Sequence, residues 1–89
     1  MGTDKEGLRI DKWLWRARFC KTRAIAQQKA EAGLLRLNGA RVEKPSALVR
    51  PGDVVTLPKG STVVALRVIA LGARRGPPKE ARGLYELIE

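Results

Sequence analysis

The chain has 89 residues, of which 18 are Lys or Arg and 9 are Asp or Glu, so its formal net charge is +9. This length allows one small domain, and a hydrophobic content of 44% is enough for a compact core. The basic balance indicates a polyanionic partner, with nucleic acid favoured over an anionic membrane.

The residue types exclude several kinds of site. The chain has no histidine, the commonest general base near neutral pH and the commonest zinc ligand. A single cysteine, Cys20, excludes an internal disulfide and a multi-cysteine metal site, and it is expected to pack as a small apolar residue. Arg67 breaks the longest apolar run, and the polar N-terminus is not a signal peptide. We therefore expect a cytoplasmic protein with no catalytic activity, cofactor, metal or small-molecule substrate, and no membrane partner.

The positive charge is concentrated in the first half of the chain. Residues 9–44 contain ten basic and three acidic side chains, a net +7, whereas the remaining residues contain eight and six, a net +2. We therefore expect the anion-binding surface to lie in the first half.

The first predicted element is a helix from Arg9 to Phe19, preceded by a disordered tail at residues 1–7. Asp11 lies in its first turn, where a carboxylate interacts favourably with the helix dipole. Trp15 lies among basic residues, where it either stacks on a nucleobase or packs against a C-terminal segment, and packing is favoured. The helix is predicted from apolar residues spaced i, i+3, i+4 and i+7, which are Ile10, Trp13, Leu14 and Ala17.

A second helix is predicted from Arg23 to Ala32. Thr22 is a suitable N-cap, because its hydroxyl can accept a first-turn N–H, and the run is rich in the helix formers Ala and Gln. Gly33 follows, where a helix that ends in a left-handed residue favours glycine. Residues 19–21 form a short connection, which places the two helices against each other as a helix-turn-helix-like pair.

A tight hairpin is predicted after the second helix, because Asn38-Gly39 is a strong signal for a two-residue turn. In the resulting register Arg36 lies opposite Arg41, and like charges in that position are destabilising. Either an anion lies between the two arginines, or both side chains splay into solvent. The same register places four apolar residues on one buried face, namely Leu35, Leu37, Ala40 and Val42.

The second half of the chain is predicted to contain two strands, a linker and a short helix. The strands are expected at residues 53–57 and 62–71, because both runs are apolar and β-branched, with a turn at residues 58–60. Residues 72–78 are typical of a basic linker. Pro78 can open a short helix, whose apolar side is expected to contain Leu84, Leu87 and Ile88.

Several short motifs together resemble the S4 RNA-binding domain. They are RIDKWL from Arg9, KTRA from Lys21, GLLRLNG from Gly33, KPS from Lys44 and PGD from Pro51. More narrowly, DKWLW, ARF, KTRA and the LYE segment at residues 84–86 are similar to the bacterial heat shock protein 15 family. The resemblance covers residues 8–89. Members commonly continue into a long basic tail beyond the LYE segment, and a chain that stops at Glu89 is expected to bind ribosomes less tightly.

The resemblance implies an α+β fold. In this fold two short packed helices lie on a small, strongly bent antiparallel sheet of about four to five strands. It also implies an S4-like RNA-binding domain at residues 8–71, with a basic linker and a short C-terminal segment, residues 72–89, packed on it.

The function that the resemblance implies is non-catalytic recognition of structured ribosomal RNA. The expected partner is the large ribosomal subunit that carries peptidyl-tRNA after stalled translation, which is a heat-shock or quality-control role, and a monomer is expected. Structured RNA is recognised largely by shape and phosphate contacts. The alternative is a helix-turn-helix-like DNA-binding protein, although the second helix offers mainly Ala and Gln to a major groove.

The expected RNA-binding surface is centred on the N-terminus of the second helix. Lys21 and Arg23 flank backbone N–H groups and the Thr22 hydroxyl, which together suit a phosphate. Asn38 has a second explanation, because asparagine accepts the positive φ of the turn. The full set expected to bind RNA is Arg9, Lys12, Arg16, Lys21, Thr22, Arg23, Gln27, Lys29, Arg36, Asn38, Arg41 and Lys44.

Overall fold

The computed structural model describes residues 7–88, so residues 1–6 of the expected tail lie outside the described residues. None of the described helices has the length and apolar character that a membrane crossing requires. The helices are α1 (Ile10–Arg16), α2 (Arg23–Glu31) and α3 (Pro78–Ala81), and α3 continues into a 3₁₀ turn at Arg82–Leu84. The strands are β1 (Leu8–Arg9), β2 (Arg36–Leu37), β3 (Ala40–Arg41), β4 (Leu48–Val49), β5 (Val54–Lys59), β6 (Thr62–Val68) and β7 (Tyr85–Ile88).

The strands form two antiparallel sheets. The larger sheet has five strands in the order β3-β2-β5-β6-β7, and β1 pairs with β4 in a separate two-stranded ladder. The α1–α2 pair precedes the larger sheet in the chain and shares one hydrophobic core with it. The predicted fold class, two packed helices with a small antiparallel sheet, is confirmed.

The core lies where α1 meets α2 and the inner face of the sheet. The four apolar residues predicted to form the stripe of α1 are all buried. Ala26 and Ala30 of α2 are also fully buried, and their small side chains allow the two helices to approach closely. Trp13 is the largest fully buried side chain, and its replacement by alanine is expected to cost about 3–5 kcal/mol.

Helix α1 is shorter than predicted, because it ends at Arg16 and not at Phe19. Arg18 has a φ of +67°, which a continuing right-handed helix cannot contain. The N–H groups of Phe19 and Cys20 instead both donate to the carbonyl of Leu14, at 3.0 and 3.3 Å. The chain thereby turns sharply toward α2.

Helix α1 begins without a capping side chain. Its first N–H groups are satisfied by a distant loop, since Ile10 N donates to the Ala47 carbonyl at 2.7 Å and Asp11 N to the Pro45 carbonyl at 3.4 Å. The β1–β4 ladder lies beside this contact and holds the loop against the helix. Both strands have only two residues, which is too short for a period to be read from sequence.

The Asn38-Gly39 hairpin has the predicted register, with Arg36 opposite Arg41 and Leu37 opposite Ala40. Asn38 and Gly39 have φ values of +52° and +88°, the pattern of a type I′ turn. Of the four apolar residues predicted to be buried, Leu35 and Val42 are buried and Leu37 is half-buried, but the prediction is wrong for Ala40, which is exposed. The reason is that β3 is an edge strand that pairs only with β2.

The second half differs from the prediction at its turns and at its end. Strand β5 continues through Pro58 and Lys59, and the turn is the two-residue loop Gly60-Ser61 between paired Lys59 and Thr62. Strand β6 ends at Val68, three residues earlier than predicted. Pro78 does open a short helix, α3, as predicted. The expected continuation of that helix over Leu87 and Ile88 is wrong, because residues 85–88 form strand β7 on the edge of β6.

The segment that follows β6 is held by side chains from the α1 region. These side chains donate to backbone carbonyls: Trp13 Nε1 to Ala70 at 3.0 Å, Arg16 to Leu71 and Gly72, and Arg18 Nε to Gly76 at 2.7 Å. The basic linker predicted at residues 72–78 is therefore anchored along α1.

Trp15 packs against this same segment, which was the favoured interpretation of its position. The Arg75 guanidinium lies 5.6 Å from the centre of the Trp15 ring, and Arg75 Nε donates to the Trp15 carbonyl at 2.9 Å. An arginine on an indole face is a stabilising cation–π contact. Trp15 is half-buried by it.

Candidate nucleic-acid interface

A buried carboxylate organises the surface where α1 meets α2. The Asp11 side chain is fully buried, and Arg9 binds both of its oxygens, with Nε–Oδ1 at 3.2 Å and Nη2–Oδ2 at 2.9 Å. Gln27 Nε2 donates to Oδ2 at 3.2 Å from α2, and Arg23 Nε lies 3.7 Å from the same oxygen. We call these four residues the Asp11 cluster.

The Asp11 cluster keeps its carboxylate ionised. Burial by itself raises the pKa of Asp11, but the hydrogen bonds from Arg9 and Gln27 and the charges of Arg9 and Arg23 outweigh it, so the pKa lies below its usual value of 3.8. Asp11 is therefore a carboxylate at neutral pH, and it holds three of the predicted RNA-binding side chains in place.

The two arginines of the Asp11 cluster retain donors for an outside ligand. A guanidinium has five N–H donors, and Arg9 directs only its Nε and Nη2 toward Asp11. The Arg9 and Arg23 side chains are 41% and 40% exposed, so both reach the surface while being held from below. An arginine that is already positioned loses less conformational entropy when it binds phosphate.

The N-terminus of α2 lies at the edge of the Asp11 cluster. Thr22 caps the helix as predicted, because its Oγ1 accepts a hydrogen bond from Ile25 N at 3.1 Å. The hydroxyl hydrogen of Thr22 is still able to donate, and the first N–H groups of a helix have no acceptor within it. Lys21 and Thr22 are both exposed. The positive end of the helix dipole adds to this anion-binding character.

The hairpin arginines diverge from each other. Arg36 Nη1 is 3.4 Å from the Gly39 carbonyl. Arg41 extends the other way and lies over Gly33, where a β-carbon would be 3.1 Å from its Nη1. This agrees with the interpretation in which the two side chains splay apart. Arg41 also brings its charge to the C-terminal end of α2, where a cation is stabilised by the helix dipole.

Asn38 has a structural role in addition to its positive φ. Its Oδ1 accepts a hydrogen bond from Val54 N at 2.8 Å, and its Nδ2 donates to Asp53 at 3.2 Å. These contacts tie the hairpin to the start of β5. The fold therefore accounts for Asn38 without RNA, and its RNA contact stays a prediction.

The remaining predicted residues lie in different settings. Lys12 and Lys29 are half-buried, and Lys44 is exposed on the loop that caps α1. Arg16 bonds to the carbonyls that follow β6, and burial together with the charge of Arg23 lowers its pKa. Arg16 is therefore a structural side chain whose charge still lies beside the Asp11 cluster.

The structure thus brings together one group of the predicted residues and leaves others apart. The Asp11 cluster, Lys21 and Thr22 meet at the N-terminal end of α2, and Arg41 lies at its C-terminal end. The nine residues of α2 span about 13 Å, so the two ends are separate contact points. Sequence reasoning missed the part that Asp11 plays. Its signal was an acidic residue next to the apolar stripe in an otherwise basic helix.

Cys20 takes no part in this surface. It is buried in the core, as expected for a small apolar residue. Burial raises the pKa of its thiol, although the charge of Lys29 opposes that effect. Within residues 7–88 no group of His, Cys, Asp and Glu residues is arranged to hold a metal ion.

Comparisons with known proteins find relatives for most of this chain. The model of the S4 domain matches residues 8–55. Heat shock protein 15 of Escherichia coli is 44% identical over 79 residues, which cover 89% of this chain and 59% of that protein. The chain thus spans about three fifths of the length of this relative. Small ribosomal subunit protein uS4 of Methylobacterium nodulans is 39% identical over 62 residues, 70% of this chain and 30% of that protein.

A solved structure extends the match to almost the whole fold. The trimeric structure of Vibrio cholerae heat shock protein 15 superposes with a TM-score of 0.86 at 38% identity, and it covers 91% of this chain and 81% of that one.

Proposed function

Because this chain belongs to the S4 domain family, we propose that it binds structured ribosomal RNA through the surface formed by the Asp11 cluster and the N-terminus of α2. The resemblance to the heat shock protein 15 family that the motifs indicated is confirmed. That kinship supports RNA binding and an association with ribosomes, and the geometry supports the proposed contact surface.

One observation carries the proposal of this surface. Arg9, Arg23 and Gln27 converge on a buried carboxylate and are held beside an exposed helix N-terminus with Lys21. Guanidinium groups bind phosphate oxygens with paired N–H donors, and phosphate neutralisation supplies most nucleic-acid affinity. A rigid set of such donors recognises the shape of a folded RNA backbone, because the spacing of the donors is set before binding.

The finer proposal is that the partner is the large ribosomal subunit that carries peptidyl-tRNA after stalled translation. It is supported by the similarity to heat shock protein 15 over most of this chain. We propose that this chain acts in the cytoplasm as an RNA-binding protein and not as an enzyme, so that it recognises the RNA and leaves it chemically unchanged. The domain limits expected from the sequence, residues 8–71 and 72–89, are part of this proposal.

The Vibrio cholerae structure also bears on the oligomeric state of this chain. A monomer is expected from the sequence, whereas the Vibrio cholerae relative is trimeric in its structure. A second or third copy would multiply the phosphate contacts available to one RNA particle. Sedimentation equilibrium of this chain with and without RNA would distinguish a monomer from a trimer.

Duplex DNA is the alternative ligand. The outward residues of α2 include Ala24, Gln28 and Glu31, which are all exposed. Of these, only Gln28 has a side chain that reads a base edge, Ala24 offers just a methyl group, and the carboxylate of Glu31 is repelled by phosphate. Competition between a labelled ribosomal RNA fragment and duplex DNA of equal length tests this, and we expect the RNA to be displaced only by other structured RNA.

Co-sedimentation with ribosomal subunits tests the proposed partner. At low salt, where electrostatic contacts are least screened, the chain is expected to migrate with large subunits more than with small subunits, and most with those that carry peptidyl-tRNA. The double variant Lys21→Ala, Arg23→Ala should remain at the top of the gradient. The control Arg67→Ala, Lys79→Ala removes the same charge from exposed positions outside the surface and should still migrate. Parent protein that stays at the top at low salt would refute the ribosomal partner.

A further inference from the structure

A second concentration of positive charge lies on the other side of the α1–α2 connection. A groove of about 570 Å³ separates this connection from the C-terminal segment. Five cationic side chains line it, and no carboxylate among residues 7–88 does. The cations are Arg18, Lys21, Lys59, Arg75 and Arg82. Three of them come from the half of the chain in which little net charge was expected.

Among residues 7–88, no carboxylate forms an ion pair with a cation of this groove. Arg75 and Arg18 are held by carbonyl oxygens, which position a guanidinium without neutralising it. Elsewhere Arg67 and Arg74 form ion pairs with glutamates at 3.5 and 3.1 Å. Several like charges around one concave surface repel each other, and an anion in the groove would relieve that repulsion.

The groove also has an aromatic wall. The Phe19 and Tyr85 rings meet edge to face, with centroids 4.6 Å apart and planes inclined by 72°. Both rings are half-buried, so part of each faces the groove. Lys59 Nζ lies 5.7 Å from the Phe19 centroid. Aromatic rings among cations are the combination that binds single-stranded nucleic acid, with stacking for the base and charge for the phosphate.

Lys21 connects the groove to the proposed RNA surface. It lines the groove and also precedes the Thr22 cap of α2. An RNA strand bound at the N-terminus of α2 would therefore reach the groove at Lys21. The volume is within the range of pockets that enclose a nucleotide-sized ligand.

We propose that this groove holds an unpaired nucleotide of the bound RNA, with its phosphate between Lys21 and Arg82 and its base against Tyr85. This inference rests on the proposed function, since the paired part of the same RNA lies on the α1–α2 surface. It adds a preference that the α1–α2 surface alone does not predict: RNA with an unpaired extension should bind more tightly than the fully paired stem.

Two RNA hairpins with the same stem test this preference, one blunt and one with a four-nucleotide single-stranded 3′ extension. Fluorescence anisotropy at fixed salt should show the extended hairpin binding the parent protein at least about fivefold more tightly, because one stacked base contributes about 1 kcal/mol or more. Arg82→Gln should remove most of this gain. Lys79→Gln is the matched control, because Lys79 is also exposed in the same segment but does not line the groove.

A photo-crosslink provides a readout that does not depend on a folded variant. With 4-thiouridine in the extension, the parent protein should crosslink at Phe19 or Tyr85, and mass spectrometry of the peptides locates the bond. Equal affinity for both hairpins, or equal effects of Arg82→Gln and Lys79→Gln, would overturn the groove while leaving the proposed function intact. Failure of both hairpins and of folded ribosomal RNA fragments to bind would instead overturn the proposed function, and the groove with it.

Discussion

Asp11 is the acidic centre of a basic surface, and its ionised carboxylate links α1 to α2 through Arg9, Arg23 and Gln27. A buried carboxylate that loses its charge leaves its cationic partners without compensation. The same residue therefore contributes to the stability of the helix pair and to the position of the donors that we propose bind RNA.

The variant Asp11→Asn tests both contributions. We expect it to lower the free energy of unfolding by about 1–3 kcal/mol, because the hydrogen bonds to a charged group are weakened and Arg9 and Arg23 lose their counter-charge. RNA affinity should fall as well, although the variant is more positively charged. Urea denaturation and anisotropy measure the two effects. Glu86→Gln, which removes an exposed partner of Arg67, is the control and should cost less than about 1 kcal/mol. Tighter RNA binding by Asp11→Asn would contradict the positioning role.

The pH dependence of stability follows from the same carboxylate. The pKa of Asp11 in the folded state lies below its value of 3.8 in the unfolded chain. Its contribution is therefore complete above pH 3.8 and is lost as the pH falls through the folded pKa. The stability difference between the parent and Asp11→Asn should be constant near neutral pH and should shrink below pH 3.8. A difference that does not change with pH would show that the charge is not responsible.

At the scale of elements, the sequence predicts what depends on local chemistry and misses what depends on distant partners. The stripe of α1, the Thr22 cap and the register at Asn38-Gly39 each follow from residues next to one another, and all are confirmed. Strand β7 was predicted as helix because its partner, β6, lies seventeen or more residues earlier in the chain. The early end of α1 depends on Arg18, which bonds to Gly76.

The residues of the candidate site also fall into those that the sequence reveals and those that only the packed structure reveals. The basic residues and the cap at the N-terminus of α2 are visible in the sequence, because each is identified by its type and its neighbours. The convergence of Arg9 and Gln27 on Asp11 depends on how α1 packs against α2. The groove depends on a strand and a linker that return to the α1–α2 connection from the end of the chain.

The two hairpin turns, at Gly39 and at Gly60, are equally tight in the structure, which corrects a difference expected from the sequence. From the sequence, Gly60 lies in a looser connection than Gly39, so valine should be tolerated better there. The structure gives Gly60 a φ of +62° in a two-residue turn, and Gly39 a φ of +88°. Each valine should therefore cost about 1–3 kcal/mol of unfolding free energy. Gly83→Val is the control, because Gly83 has no positive φ and its β-carbon would meet no atom within 4 Å. A Gly60→Val variant as stable as Gly83→Val would contradict the tight turn.

At the scale of the whole molecule, the positive charge is divided between two faces that meet at Lys21. The α1–α2 face carries cations held by Asp11, and the groove carries cations held by carbonyl oxygens. A small domain with this distribution binds nucleic acid mainly through phosphate contacts, so its affinity depends steeply on salt.

Salt dependence separates residues that contact phosphate from those that do not. Each phosphate neutralised contributes a slope of about −0.7 to −0.9 in log affinity against log salt. Arg23→Ala should lower the affinity for a ribosomal RNA fragment. It should also make the slope shallower by about 0.7 to 0.9, the contribution of one phosphate contact. Arg67→Ala removes an equal charge from β6, where Arg67 is paired with Glu86, and should change neither quantity. Anisotropy titrations at four salt concentrations measure both, and the opposite ranking would contradict the assigned face.

The most direct test of the central claim is an amide chemical-shift titration of the isotopically labelled chain with a structured ribosomal RNA fragment at low salt. We expect the largest shifts on residues 21–27 at the start of α2, with a second, smaller group at Gly33 and Arg41. Arg67 of β6, which pairs with Glu86 and lines neither RNA surface, should remain unchanged. Largest shifts at Arg67, with an unperturbed α2 N-terminus, would contradict the assignment of the RNA-binding surface.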